Sequence, residues 1–218
     1  MVVTVNPSPT LSSSLAPTGI CSGSVFSYNP TSNTAGTTFN WSRAAIAGIS
    51  QPANSGTGNP NEQLDNTTAF AIAVTYVYTL AANGCTNVQN VVVMVTPAPD
   101  LTSSNFPPSV CSNTLFSYSP TSSIAGTTFG WTRAAVAGIS NPAASGTGNP
   151  NETLINTMTY PISVVYVYTL TANGCSGPPE NVTVVVLDIP VVTASASSNT
   201  ICAGTSINLF FVLNCRQA

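Results

Sequence analysis

Histidine and lysine are both missing from the 218 residues. Without histidine, a Ser/His/Asp triad, a Cys/His nucleophile pair and a histidine metal site are excluded. Charge of either sign is scarce. Arg43, Arg133 and Arg216 stand against Glu62, Asp65, Asp100, Glu152, Glu180 and Asp188, so charged residues make up 4 % of the chain and the net charge is −3. Three cations cannot supply the positive field that sequence-independent nucleic-acid binding requires, so no nucleic-acid partner is expected. The acids are too sparse for a calcium cage. Glu62 and Asp65 recur 90 residues later as Glu152 and Ile155, so a paired-carboxylate site for glycoside chemistry is not repeated. The Gly-rich SGTGNP string lacks the lysine and following helix of a phosphate loop, and CysxxCys metal spacing is absent. No apolar run reaches the roughly 18 residues of a membrane span, and no amphipathic helical pattern occurs, so direct membrane insertion is not expected. The expectation is a protein with no catalytic residues, no cofactor and no metal.

What the chain does have is 17 Pro, 15 Gly and 43 % apolar residues, with Ser, Thr and Asn supplying the polarity. This composition suits β-rich domains large enough to bury a core, wetted by neutral side chains. The sequence is also duplicated. Cys21, Trp41 and Cys85 recur as Cys111, Trp131 and Cys175, each 90 residues on, and the blocks AGTTF, AGIS and SGTGNPNE recur at the same displacement. A repeat this long can own a core without borrowing one by stacking. MVVTVNP at 1–7 matches VVVMVTP at 91–97, and ICAGTS at 201–206 resembles ICSGS at 20–24. The expected organisation is therefore a terminal strand of a preceding module at 1–7, modules at 8–97 and 98–190, and the opening of a third at 191–218. The start has neither a basic region nor an apolar signal core. The reading is either a slice of a longer secreted chain or a subunit in which 1–7 completes a neighbour's sheet head to tail.

Within a module the apolar period is two. In VTYVYTL, Val74, Tyr76, Tyr78 and Leu80 share one face, and the run leads through Asn83-Gly84 into VVVMV at 91–95, a hairpin repeated at 164–170, Asn173-Gly174 and 182–186. VFSY at 25–28 and TTFNW at 37–41 read as earlier strands, while SRAAIAGIS at 42–50 is open to strand, loop or a short helical turn. About seven short strands with turn signals predict an all-β fold of tandem immunoglobulin-like sandwiches.

Six cysteines permit 15 pairings, but the duplication asks for the same bond in each copy, giving Cys21 with Cys85 and Cys111 with Cys175 and leaving Cys202 and Cys215 as a further candidate pair. Trp41 and Trp131 are expected in the core. Arg43 and Arg133 either pair internally with Glu62 and Glu152 or face solvent. Tyr76, Tyr78, Tyr166 and Tyr168 are read as core in preference to a carbohydrate platform. Asn40, Asn66, Asn151 and Asn181 stand in the N-x-[ST] pattern and are candidate glycosylation sites.

The WxRAAxAGIS and SGTGNPNE strings, with Cys21, Trp41, Arg43, Glu62 and Cys85 and their counterparts Cys111, Trp131, Arg133, Glu152 and Cys175, resemble the PKD-like domains of long, secreted, multi-repeat surface proteins of Bacteroidota. The resemblance implies an extracellular or cell-surface location and no catalytic residue. The expected role is a rigid, disulfide-clamped spacer or assembly module of a surface or filament protein. The alternative is an adhesin whose loops bind glycans or proteins. Its partners would be neighbouring repeats, further copies in head-to-tail assembly, or surface glycans and proteins.

Overall fold

The computed structural model describes residues 1–188, 192–196, 200, 202–204, 206 and 209–213. Its described elements are all strands, and they fall into two compact units. Unit 1 is Met1–Pro99 with two short excursions, Ser123–Thr127 and Thr171–Gly177; unit 2 is Asp100–Ser122, Thr128–Leu170 and Pro178–Ala218.

The first repeat supplies β1 (Ile20–Cys21), β2 (Ser24–Phe26), β3 (Thr38–Arg43), β4 (Asn54–Thr57), β5 (Glu62–Leu64), β6 (Ile72–Ala82) and β7 (Cys85–Thr96). One sheet has the order β1-β7-β6-β3-β4, and β2 pairs with β5 in a second, smaller ladder. The long β6/β7 hairpin turns where the sequence places Asn83-Gly84, with φ of 50° and 80°. Two successive positive φ values are what a tight type I′ hairpin turn demands. Alternation then works as the period predicts. Val74, Tyr76, Tyr78 and Leu80 are fully buried, and so are Val91, Val93 and Val95 on β7. Phe26 and Leu64 from the β2/β5 ladder close over this face, with the Phe26 ring 5.0 Å from that of Tyr76.

The second repeat supplies β8 (Val110–Cys111), β9 (Thr114–Phe116), β10 (Thr128–Arg133), β11 (Ala144–Thr147), β12 (Glu152–Leu154), β13 (Ile162–Ala172), β14 (Cys175–Ser176) and β15 (Glu180–Leu187). Its sheet runs β11-β10-β13-β15-β8, with β14 on β13 and a β9/β12 ladder apart. Where β7 is one strand, β14 and β15 are two. Gly177-Pro178-Pro179 interrupts them, because proline has no N–H to give a central ladder. Beyond the second repeat, β16 (Val192–Ala196) and β17 (Leu209–Leu213) pair antiparallel to each other. Residues 42–50 form no helix: after Arg43 the chain enters a turn in which Gly48 takes φ +86°.

One pairing had no signal in the sequence. β1 lies parallel to β7, with Cys21 opposite Thr96. Cys85 is the first residue of that same strand, 11 residues earlier. At about 3.3 Å per residue it lies roughly 36 Å from Cys21, whereas a disulfide needs Cα atoms about 4.4–6.8 Å apart. The expected Cys21–Cys85 bond is therefore replaced. Cys21 is bonded to Cys175, with Cα atoms 5.6 Å apart and a sequence separation of 154, and both residues belong to unit 1. That also excludes Cys111–Cys175. Cys111 is disulfide-bonded elsewhere, and Cys85 is a free thiol. Cys215 lies outside the described residues, and the Cys202–Cys215 pairing with it.

Trp41 stands directly across the β3/β4 ladder from Gly56, and its indole lies over that glycine. A Cβ on Gly56 would come within 2.9 Å of the ring. Gly56→Ala is expected to destabilise unit 1 by about 1–3 kcal/mol through overpacking, read as a lower urea midpoint. Gly146→Ala should do the same beneath Trp131, where the distance is 2.8 Å.

Candidate functional site

Arg43 ends β3 two residues beyond Trp41, so both side chains point to the inner face. They are 2 % and 5 % exposed. A buried guanidinium needs acceptors, and four contacts supply them. Nε and Nη2 donate to Glu62 Oε2 and Oε1 at 3.0 and 3.1 Å, Nη1 donates to the Ala44 carbonyl at 3.2 Å, and Nη2 also donates to the Pro52 carbonyl at 2.7 Å; the Tyr76 hydroxyl completes the carboxylate by donating to Glu62 Oε2 at 2.7 Å. Asn54 Nδ2 donates to Glu62 Oε1 at 2.8 Å. The second repeat rebuilds the group with Arg133, Glu152 and Tyr166, with Nε–Oε2 at 2.8 Å and the tyrosine bond at 2.6 Å. Ala144 stands in place of Asn54.

Electrostatics fit this geometry. Hydrogen bonding to Glu62 holds the Arg43 proton more tightly than usual, against the opposing effect of burial. Burial pushes the Glu62 carboxyl upward, but the hydrogen bonds from Arg43, Asn54 and Tyr76 together outweigh it and leave it below the ordinary glutamate value. Burial, and then the Glu62 carboxylate, drives the Tyr76 phenol up. Arginine and glutamate are thus locked as an ion pair with their hydrogen-bonding capacity spent on each other, on backbone and on neighbouring side chains. The group has no free base or nucleophile, and its chemistry is structural. The sequence left Arg43 open between pairing and solvent; the two-residue step from Trp41 was the available signal, whereas the part of Tyr76 had none.

Trp41 and Trp131 lie in the core, with rings at 5.5 Å to Tyr76 and Tyr166. Their indole N–H groups meet no acceptor among the described residues. Tyr78 and Tyr168 are also interior, each donating to a glycine carbonyl, Gly58 and Gly148.

Asn66 corrects one glycosylation site. It is 8 % exposed, and its side chain is fully engaged: Nδ2 donates to the Phe70 and Val95 carbonyls at 2.7 and 2.8 Å, and Oδ1 accepts from the Thr68 N–H and hydroxyl. Asn156 does the same work in the second repeat, donating to Tyr160 and Val186. Asn66 therefore belongs to a structural motif, and its N-x-[ST] context is incidental. Asn40, Asn151 and Asn181 are exposed. The loop that each buried asparagine holds presents an aromatic ring at the same place in both repeats: Phe70 is 79 % exposed and Tyr160 58 %.

The model of one family, the PKD-like domain, matches residues 18–99 and again 108–190, more than half of the chain. The chain belongs to the PKD-like domain family. Among curated proteins no relative was found. Similar solved structures include human protocadherin-24 EC1-2, 14 % identical, with 85 % of this chain and 100 % of that one covered and a TM-score of 0.40. A protein of unknown function from Porphyromonas gingivalis W83 is 10 % identical over 73 % of this chain and 87 % of that one, at 0.23. Extracellular domains 3–5 of Drosophila OTK are 12 % identical over 84 % and 64 %, at 0.24. Values this low say nothing of what the PKD-like repeats bind. Among the described residues no group of three or more His, Cys, Asp or Glu side chains could hold a metal, and no helix is long and apolar enough to cross a membrane.

Proposed function

We propose that these two PKD-like domains are a non-catalytic, disulfide-stabilised part of an extracellular surface protein that works in adhesion. The observation that carries this reading is the pair Phe70 and Tyr160, exposed at equivalent loops of both repeats and each held by a buried asparagine. A single exposed aromatic is ordinary. Its repetition on a surface of neutral Ser, Thr and Asn supports a contact position for sugar rings or apolar protein patches, because an aromatic face brings large contact area at little entropic cost. An extracellular location is supported by the disulfides, which persist in oxidising compartments.

The test is adhesion of beads coated with the full chain to glycan and protein arrays. The double variant Phe70→Ser/Tyr160→Ser should lose adhesion by about tenfold or more, the scale of one or two interface hot spots, with an unchanged urea midpoint. Undiminished adhesion would favour the second reading, a passive spacer. That reading has its own support in the burial of both tryptophans and of the Arg43–Glu62 and Arg133–Glu152 pairs, which serve rigidity and not recognition.

A further inference from the structure

We propose that Cys85 is a built disulfide site. Its partner is the opening cysteine of another PKD-like repeat, standing to Cys85 as Cys21 stands to Cys175, so that successive repeats are cross-linked each to the next. Cys175, the counterpart of Cys85 one repeat on, already makes this bond to a cysteine 154 residues earlier. The two sites share their backbone. Asn83 and Gly84 have φ of 50° and 80°, Asn173 and Gly174 of 51° and 78°, and Cys85 faces Ala82 across the hairpin as Cys175 faces Ala172.

The place for the partner is also marked. Residues 1–7 match 91–97, so Asn6 corresponds to Thr96, the residue opposite Cys21 in the parallel β1/β7 pairing. Asn6 lies at Cys85: its Nδ2 donates to the Asn83 carbonyl at 2.9 Å, and its own carbonyl is 3.6 Å from Cys85 Sγ. Further along the same segment, Ser8 Oγ reaches the Thr86 carbonyl at 3.4 Å and Asn87 Nδ2 the Pro9 carbonyl at 3.0 Å. A short strand laid parallel against this segment, as β1 lies against β7, would bring its cysteine to the half-buried Cys85 thiol. Cys21 cannot fill the role, being at the far end of β7 and already bonded.

The chemistry is thiol–disulfide exchange with a small or protein disulfide as oxidant. The thiolate of the opening cysteine attacks the donor disulfide and expels one donor thiol. The Cys85 thiolate then attacks the mixed disulfide and expels the second. One protein S–S bond forms, two protein thiols are oxidised, and the donor leaves as two thiols.

The test uses the full chain extended at its N-terminus by an in-phase copy of residues 1–90, oxidised in a glutathione buffer and mapped by mass spectrometry without reduction. The expected result is Cys85 linked to the added copy's opening cysteine, Cys21–Cys175 intact, and iodoacetamide labelling of Cys85 reduced about tenfold or more against the unextended chain. Cys85→Ser in the extended chain should leave the added opening cysteine alkylatable. Full labelling of Cys85 with Cys21–Cys175 intact would overturn the proposal, as would a Cys21–Cys85 bond. In protein from its natural source, a bond within one polypeptide leaves the apparent mass unchanged on reduction and a bond to a second copy lowers it. Either supports the site, and an alkylatable Cys85 there overturns it. These readouts are independent of adhesion, so the surface role can fail while the cross-link stands.

Discussion

The double variant Cys21→Ser/Cys175→Ser should unfold at markedly lower urea, with a loss of about 5 kcal/mol for the unit that holds the bond. The loop that it closes spans 154 residues, and in the chain-entropy account the stabilisation grows with the logarithm of loop length. Cys85→Ser in the unextended chain should stay within about 0.5 kcal/mol of the parent, as a substitution that breaks no disulfide. A large loss from Cys85→Ser, comparable with that from Cys175→Ser, would restore the pairing within each repeat and contradict the register of β1 on β7. Urea curves of the three variants, each checked for the slope of the transition, decide between them.

Arg133→Ala should cost its sandwich about 3–5 kcal/mol, because it leaves the Glu152 carboxylate and the Tyr166 hydroxyl buried without their cation. The sign of the accompanying pH effect follows from Glu152. Its folded carboxyl sits below the ordinary 4.5, held there by Arg133 and Tyr166 against the effect of burial. A group with a depressed folded pKa contributes stability that is present above its unfolded value and is lost as pH falls through the folded value. The parent protein should therefore be flat from about pH 8 to 5, with no histidine to titrate there. It should then weaken progressively below the ordinary glutamate value. In Arg133→Ala the remaining carboxyl is buried without its cation and should titrate higher, so mild acid should weaken the variant less than the parent, or even stabilise it. Urea midpoints measured across this range check both the size and the sign. A parent midpoint indifferent to acid would contradict the locked pair.

The charged pair and several polar side chains of each repeat are turned inward. Arg43 and Glu62 complete each other, Asn66 is spent on the carbonyls of Phe70 and Val95, and Tyr78 on that of Gly58. This arrangement fits a domain that keeps its fold with few charges. It also explains why the adhesion reading rests on loops and not on a cleft.

The local elements were determined by the sequence alone, because local chemistry sets them. Alternation over 74–80 decided which face of β6 is buried, Asn83-Gly84 decided where the hairpin turns, and the 90-residue displacement decided that the plan occurs twice. The Trp41-to-Arg43 spacing put both residues on one face without saying whether an acid waited there. Tertiary structure alone settled three things: the meeting of Glu62 and Tyr76 on Arg43, the incidental nature of the Asn66 motif, and the partner of Cys21. The last is the plainest case. Duplication is satisfied equally by bonds within each repeat and by bonds from each repeat to the next, and nothing local separates them. The parallel seat of β1 beside the end of β7 does, because it sets Cys21 a whole strand length from Cys85 and within bonding distance of Cys175.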